Sequence, residues 1–336
     1  MRAYAIRRLL LVIPTLWLIT LLTFLLVRFI PGDVIDMMLA QMSEQSGLGA
    51  ELTADYLRHA LGLDVPLFVQ YGRWMGAWPQ EPKAEGEKGE FKGVIQGYLG
   101  TSLWRNQSVN ELLLERLPVS IELGLIALIT GWVLGMPVGI YSAIRQDSGL
   151  DYGLRTLAII LLSVPGFWLA TMVIVYPSIW WNWTPSLEYI PFVKNPGGNL
   201  IQFLLPGFLM GAQGSGGLMR LMRTQVLEVL RQDYVRTAWS KGLGERTVIY
   251  RHALKNAFMP IITVLGMSLP GLIAGAVIIE QIFVLPGVGR LTLDALNQRD
   301  YPIISGINLV MATTILICNL LTDLTYAWID PRVQYR

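Results

Sequence analysis

The amino-acid sequence predicts an all-α, polytopic membrane protein: six transmembrane helices with both termini in the cytoplasm. Three observations lead there. The 336 residues are 53% hydrophobic and only 15% charged, with a mean hydropathy of +0.48, whereas a soluble domain carries about 25% charged residues. Six apolar runs match the roughly 20 residues that a membrane-crossing helix needs: 9–29, 118–141, 156–179, 201–220, 259–282 and 303–328. The cations, finally, are shared unevenly between alternate loops. With the N-terminus inside, the inner pieces hold Arg2, Arg7 and Arg8; Arg145 and Arg155; Arg220, Arg223, Arg231, Arg236, Lys241, Arg246, Arg251 and Lys255; and Arg332 and Arg336, fifteen in all. The two short outer loops hold three: Lys194, Arg290 and Arg299.

The first run follows Arg2, Arg7 and Arg8 and is about 21 residues long. A secretory signal has a 7–15-residue apolar core followed by a small-residue cleavage site, and neither feature is present, so 1–30 reads as a retained N-terminal transmembrane helix. Residues 31–117 form an extracytoplasmic segment in two parts. From Thr53, an N-cap candidate, to Trp78 the pattern is amphipathic and helical. The stretch "PQEPKAEGEKGEFKG" (79–93) then reads as a flexible, solvated, charged insert. Residues 118–336 carry the other five runs. The fourth run, with "FLLPGFLMGAQGSGGLM", is crowded with glycine and holds Pro206 and Gln213. Small residues there serve close helix packing or line a wide pathway; Gln213, Gly214 and Gly217 are the pathway candidates. Pro260 opens the fifth run. Eleven Trp and thirteen Tyr suit interfacial anchoring in membrane lipid. The single Cys318 excludes an intrachain disulfide.

The most polar stretch is "DYVRTAWSKGLGERTVIYRHALKN" (233–256), within the loop 223–258. Gln225–Lys241 reads as a helix with Val226, Val229, Leu230, Val235 and Ala238 near one face. Gly242 follows a basic last turn, the pattern of a helix stopped by a C′ glycine. "RTVIYRHALKNAF" resumes helical character, so the loop is expected to be helix, Gly turn, helix. A helix–turn–helix tied at both ends to membrane spans is not suited to nucleic acid, and the net charge of +2 adds no attraction.

These residues resemble the coupling loop of binding-protein-dependent ABC importer permeases of the dipeptide/oligopeptide family. Gly242, Ala238 and Leu254 fit the wider superfamily pattern. Arg236-Thr237-Ala238, Gly242-Leu243 and Arg251-His252-Ala253-Leu254 resemble the peptide subfamily's own variant. The likeness extends to "RFIPGD", "LGLDVPLFVQYGRW", "LGTS", "LLLERLPVSIELG", "SVPGFWL", "IIEQIFVLPGVGRL" and "DPRVQYR". It implies a type I ABC permease fold over 118–336. It also implies a second, homologous permease chain as heterodimer partner, two cytoplasmic ATP-binding subunits, an extracytoplasmic substrate-binding protein, and the inner membrane of a prokaryote. On this resemblance Tyr234, Val235, Arg236, Thr237, Ala238, Lys241, Gly242, Leu243, Arg251, His252 and Leu254 form the ATPase-coupling loop. On the same resemblance the outer loop 283–302 lies on the face where the binding protein docks; its residues alone fit a helix lying on the membrane surface equally well. The substrate implied is a di- or oligopeptide; nickel, glutathione and oligosaccharide permeases share the same resemblance.

No catalytic residue is expected. A GxxxxGK[ST] phosphate loop is absent; "GAQGSGG" lacks the lysine and "LPGVGR" the spacing. ATP and Mg are therefore expected on partner ATPases, with no cofactor in this chain. Two histidines, His59 and His252, have no metal-ligand spacing. Ionisable residues inside spans are functional suspects; Glu122, Glu280 and Asp323 all fall near interfaces, where hydrogen bonding or helix capping explains them. The chain of buried acids expected of an ion-coupled carrier working alone is absent. A scaffold that anchors ATPases without transporting is a further reading.

Overall fold

The computed structural model describes residues 2–28, 62–81, 89–186, 188–274 and 276–329, with positions 35, 39, 58 and 59; for 2–7, 263, 265, 267, 269–274 and 322–329 it describes the backbone only. Thr53, residues 82–88 of the charged insert and the C-terminal DPRVQYR lie outside the described residues, as does the side chain of Asp323. Among the described residues every named element is helical: α1 (Arg2–Arg28), α2 (Leu67–Met75), α3 (Val109–Ile144), α4 (Gly149–Ser163), α5 (Gly166–Trp181), α6 (Pro196–Leu230), α7 (Asp233–Ser240), α8 (Leu254–Ala274), α9 (Val277–Ile282), α10 (Val288–Gln298) and α11 (Tyr301–Ile329). The chain divides into two compact units, one built on Met1–Arg116 and Leu291–Ile317, the other on Leu117–Arg290 and Cys318–Val333.

Three described helices are long and apolar enough to cross a membrane: Arg8–Arg28, Val109–Ile144 and Tyr301–Leu321. The expected span 156–179 is not one rod. It breaks at Val164–Pro165 into α4 and α5, which meet at 89°, and together they make a fourth crossing if each pair counts as one span. The cause is local: a proline pushes the residue before it out of the helical region, and Val164 sits at φ −78°, ψ 123°. The expected span 259–282 likewise ends at Ala274, and α9 restarts at Val277. Pro260 does not open that helix. It lies in its interior, because a π-helical segment, Val248–Ala253, runs straight into α8.

Unit 2 is organised around α6. Its N-terminus is capped by Asn195, whose Oδ1 accepts from the Gly198 N–H at 3.0 Å, with Pro196 at the first helical position, where its missing N–H costs nothing. α4 is capped by Ser148 accepting from the Asp151 N–H at 3.2 Å. Glycines let the helices meet backbone to backbone. A Cβ placed on Gly131, Gly135 or Gly139 of α3 would lie 3.2, 2.8 or 2.6 Å from the carbonyl oxygens of Gly211, Ser215 or Met219 on α6. On the adjoining face, a Cβ at Gly216 would stand 2.8 Å from the Ala158 carbonyl of α4. The fourth run's glycines therefore divide. Gly207, Gly211 and Gly216 are buried in packing, whereas Gly214 and Gly217 face open space. The apolar core lies at two levels of the bundle, around Phe203, Leu123 and Leu285 and around Met222, Val226 and Ile261.

Candidate functional site

The loop between α6 and α8 is built in three pieces. α6 ends at Leu230, and the helix expected over Gln225–Lys241 is interrupted there, because Gln232 is extended at φ −74°, ψ 146°. α7 restarts with Asp233 in its first turn, the favoured end for an acid. It runs eight residues and stops at Gly242, whose φ of +75° is the left-handed conformation that glycine adopts without a Cβ penalty. The Gly242 N–H donates to the Trp239 carbonyl at 2.9 Å, and a Cβ there would meet nothing within 4 Å. This glycine is set by backbone conformation, and space around it is free.

After Gly244 a single helical turn, Glu245–Thr247, passes into the π-helical segment Val248–Ala253. Its wider register brings Val248 and Ala253, five apart, both to zero exposure, with Ile249 beside them. Val248 closes a small core with Val235 and Ala238 of α7 and half-buried Val229, Leu230 and Leu243. The Asn256 amide donates to the Tyr234 hydroxyl at 2.7 Å, tying α7 to the first turn of α8.

The structure thus sorts the residues that the sequence grouped. Val235, Ala238 and Leu254 are buried and Leu243 half-buried, so they hold the loop's shape. Tyr234, Arg236, Thr237, Lys241, Gly242 and Arg251 are exposed, and His252 is half-buried. Arg236 is only loosely paired, 3.6 Å from Asp233, with both groups in solvent. Trp239 and Tyr250 also present exposed aromatic rings on this loop; the sequence reading passed over them, although large aromatics in a polar stretch are themselves a contact signal.

Buried and half-buried polar side chains tie the helices together within each unit. Asp151, fully buried, accepts from Arg223 Nε at 3.0 Å and Nη2 at 2.8 Å, from the Ser142 hydroxyl and from the Asp147 N–H at 3.1 Å. It ties the end of α3 and the first turn of α4 to α6, two turns before the loop begins. Glu280, also fully buried, accepts from Ser120 Oγ at 2.7 Å and from the Arg290 N–H at 2.9 Å, while Ser120 Oγ accepts from the Val288 N–H at 2.8 Å. Together they cap the start of α10, which explains this acid as a helix cap. Glu122 is held by the Asn199 amide at 3.3 Å. Gln213 donates through Nε2 to the Val164 carbonyl at 3.0 Å, so this pathway candidate closes a backbone group left open by the α4–α5 break. In unit 1 the buried Asp300 accepts from Ser102 Oγ at 2.5 Å.

Comparison with known proteins defines the class. The chain belongs to the family of binding-protein-dependent transport system inner membrane components, whose pattern matches residues 135–335, and the N-terminal domain of such membrane components matches residues 1–124. Among individual relatives it is 35% identical over 338 residues to the oligopeptide transport system permease protein AppB of Bacillus subtilis. It is 37% identical over 359 residues to the dipeptide transport system permease protein DppB of Escherichia coli K12, and 36% identical over 355 residues to DppB of Alkalihalophilus pseudofirmus. Each match covers 100% of both chains. The chain is therefore a multi-pass membrane subunit of a transport system that works with other subunits.

Proposed function

We propose that this chain is a permease subunit of an ATP-driven importer of di- or oligopeptides in a bacterial inner membrane. The observation that carries the substrate class is the full-length match to permeases named for oligopeptide and dipeptide transport, at 35–37% identity with no part of either chain left over. It works beside a second permease chain, with two cytoplasmic ATPases holding ATP and Mg and an extracytoplasmic binding protein delivering the peptide. The loop 233–256 is its contact with an ATPase. A short helix on a small closed core, with Arg236, Thr237, Trp239 and Lys241 outward, moves as one body and passes a partner's displacement to α6 and α8. The exposed side of α6 at Gly214 and Gly217 borders the peptide's path.

The test is the assembled transporter carrying Gly242→Val. A β-branched residue at φ +75° is strained and displaces the α7 end. Membrane insertion is expected to persist, while peptide-stimulated ATP hydrolysis and uptake fall to background. Undiminished uptake in that variant removes the loop from coupling, and a wild-type system that responds to nickel or glutathione but to no peptide removes the substrate assignment.

A further inference from the structure

Within unit 1, α2 packs on α1 at a depth that a solvated extracytoplasmic helix does not reach. The apolar stretch Arg8–Arg28 is 21 residues long, about 31 Å at 1.5 Å per residue, which is the thickness of a bilayer's hydrocarbon layer. α2 meets it well inside that stretch. The Tyr71 hydroxyl bonds the Thr20 hydroxyl at 2.8 Å, and the Phe24 ring lies 5.4 Å from the Tyr71 ring and 6.0 Å from that of Trp74. Phe24 and Thr20 are four and eight residues below Arg28, about 6 and 12 Å along the axis.

The far side of the same apolar arc is uncovered. Leu67 is 55% and Phe68 66% exposed, and Phe68 packs edge-on against Trp78 at 5.7 Å, leaving Trp78 41% exposed. The opposite face of α2 is polar. Gln70 and Arg73 look into a cavity of about 860 Å³ that Glu90 and Lys92 also line, and Arg73 pairs with Glu81 at 2.7 Å.

A second observation concerns the irregular backbone flanking α2. Three glutamine amides occupy its carbonyls: Gln70 Nε2 donates to Val65 at 2.7 Å and Leu63 at 3.4 Å, Gln80 Nε2 to Arg73 and Lys92, both at 2.9 Å, and Gln96 Nε2 to Gly76 at 3.1 Å. In water such carbonyls need no side-chain partner; at membrane depth each must be satisfied within the protein.

We propose that α2 is an interfacial helix whose Leu67 and Phe68 face, extended by Trp78 just past the helix end, enters the acyl-chain boundary of the leaflet reached by the Arg28 end of α1. The partner is the lipid surface itself. An amphipathic helix of this kind sinks its apolar face about 5–10 Å into that boundary, the depth at which Tyr71 and Trp74 already sit on α1. The assignment depends on α1 crossing the membrane and is independent of the peptide substrate.

The test uses the full chain in phosphatidylcholine–phosphatidylglycerol vesicles, with Cys318→Ala removing the only cysteine. Bimane is placed on Phe68→Cys, on Leu67→Cys as a second site, and on Gln107→Cys as an exposed loop reference. Lipids brominated along the acyl chain are expected to quench sites 67 and 68 about threefold more than aqueous iodide does, with the order reversed at 107. Iodide quenching at 67 and 68 equal to that at 107 overturns the proposal, because the helix then stands in water. Quenching by neither reagent also overturns it, since protein then covers the face.

Discussion

The seam between α3, α4 and α6 and the loop at 233–256 use the same residue types for opposite purposes. In the seam, Gly139 has an ordinary helical backbone and no room: a Cβ would stand 2.6 Å from the Met219 carbonyl. In the loop, Gly242 has all the room a side chain needs and a backbone that side chains avoid, at φ +75°. The charges divide in the same way. Arg223 is mostly buried and grips the fully buried Asp151 with two nitrogens, while Arg236 stands in solvent 3.6 Å from a still more exposed Asp233. The seam is thus fixed by contact and the loop by conformation. A seam substitution is expected to be felt as lost stability and, with the loop coupling as proposed, a loop substitution chiefly as lost function.

The largest effect is expected at Arg223. Replacing it with Met leaves the Asp151 carboxylate buried with only the Ser142 hydroxyl and the Asp147 N–H for company. Breaking a buried pair from one side costs about 3–5 kcal/mol, enough to lower the thermal unfolding midpoint of the detergent-solubilised chain by many degrees. Arg236→Ala is the matched control and belongs to the class of exposed pairs worth about 0–1 kcal/mol. Equal shifts from the two substitutions would break the contrast. Gly139→Ala comes next. One methyl group forced against the α6 backbone costs about 1–3 kcal/mol, read from the same unfolding curve. Gly242→Ala is expected to cost about 1 kcal/mol, the price of a left-handed alanine, and to lower peptide-stimulated ATP hydrolysis by more than that stability loss explains.

The contrast also marks what the sequence made legible. The helical class and the glycine stop at 242 follow from composition and local turn chemistry, and the structure has both; of the six expected runs, three lie in described helices long and apolar enough to cross, 156–179 is bent, and 259–282 stops at Ala274. The break at Val164–Pro165 was written in "SVPG", yet an apolar run averaged over 24 residues hides a single bent peptide. The interruption at Gln232 left only the weak signal of an acid, Asp233, at a helix start. The polar group of Gln213 was visible in the fourth run, but not that its amide serves a carbonyl 49 positions away. Asp151 and Arg223, 72 apart, met only in three dimensions. Ser148-x-x-Asp151 fits a helix-capping pattern, and such a pattern carries nothing of the arginine.

The smallest effect on stability, and the sharpest test of the open face, belongs to Gly214. Gly214 and its neighbour but one, Gly216, differ in surroundings although not in type. A Cβ at Gly216 meets the Ala158 carbonyl at 2.8 Å, whereas one at Gly214 meets nothing within 4 Å. Gly214→Ala is expected to raise helix stability slightly, since alanine is favoured over glycine in a helix interior by about 1 kcal/mol, while Gly216→Ala lowers it. Gly214→Trp adds bulk only to the open side, so the unfolding midpoint should hold while peptide uptake falls. The size dependence carries the argument. If the face borders the path, longer peptides lose uptake before dipeptides do, because a ring that narrows a channel excludes the larger cargo first. Uptake of both lengths at the rate of the unsubstituted chain would take Gly214 out of the pathway and leave its open side facing lipid or a partner helix.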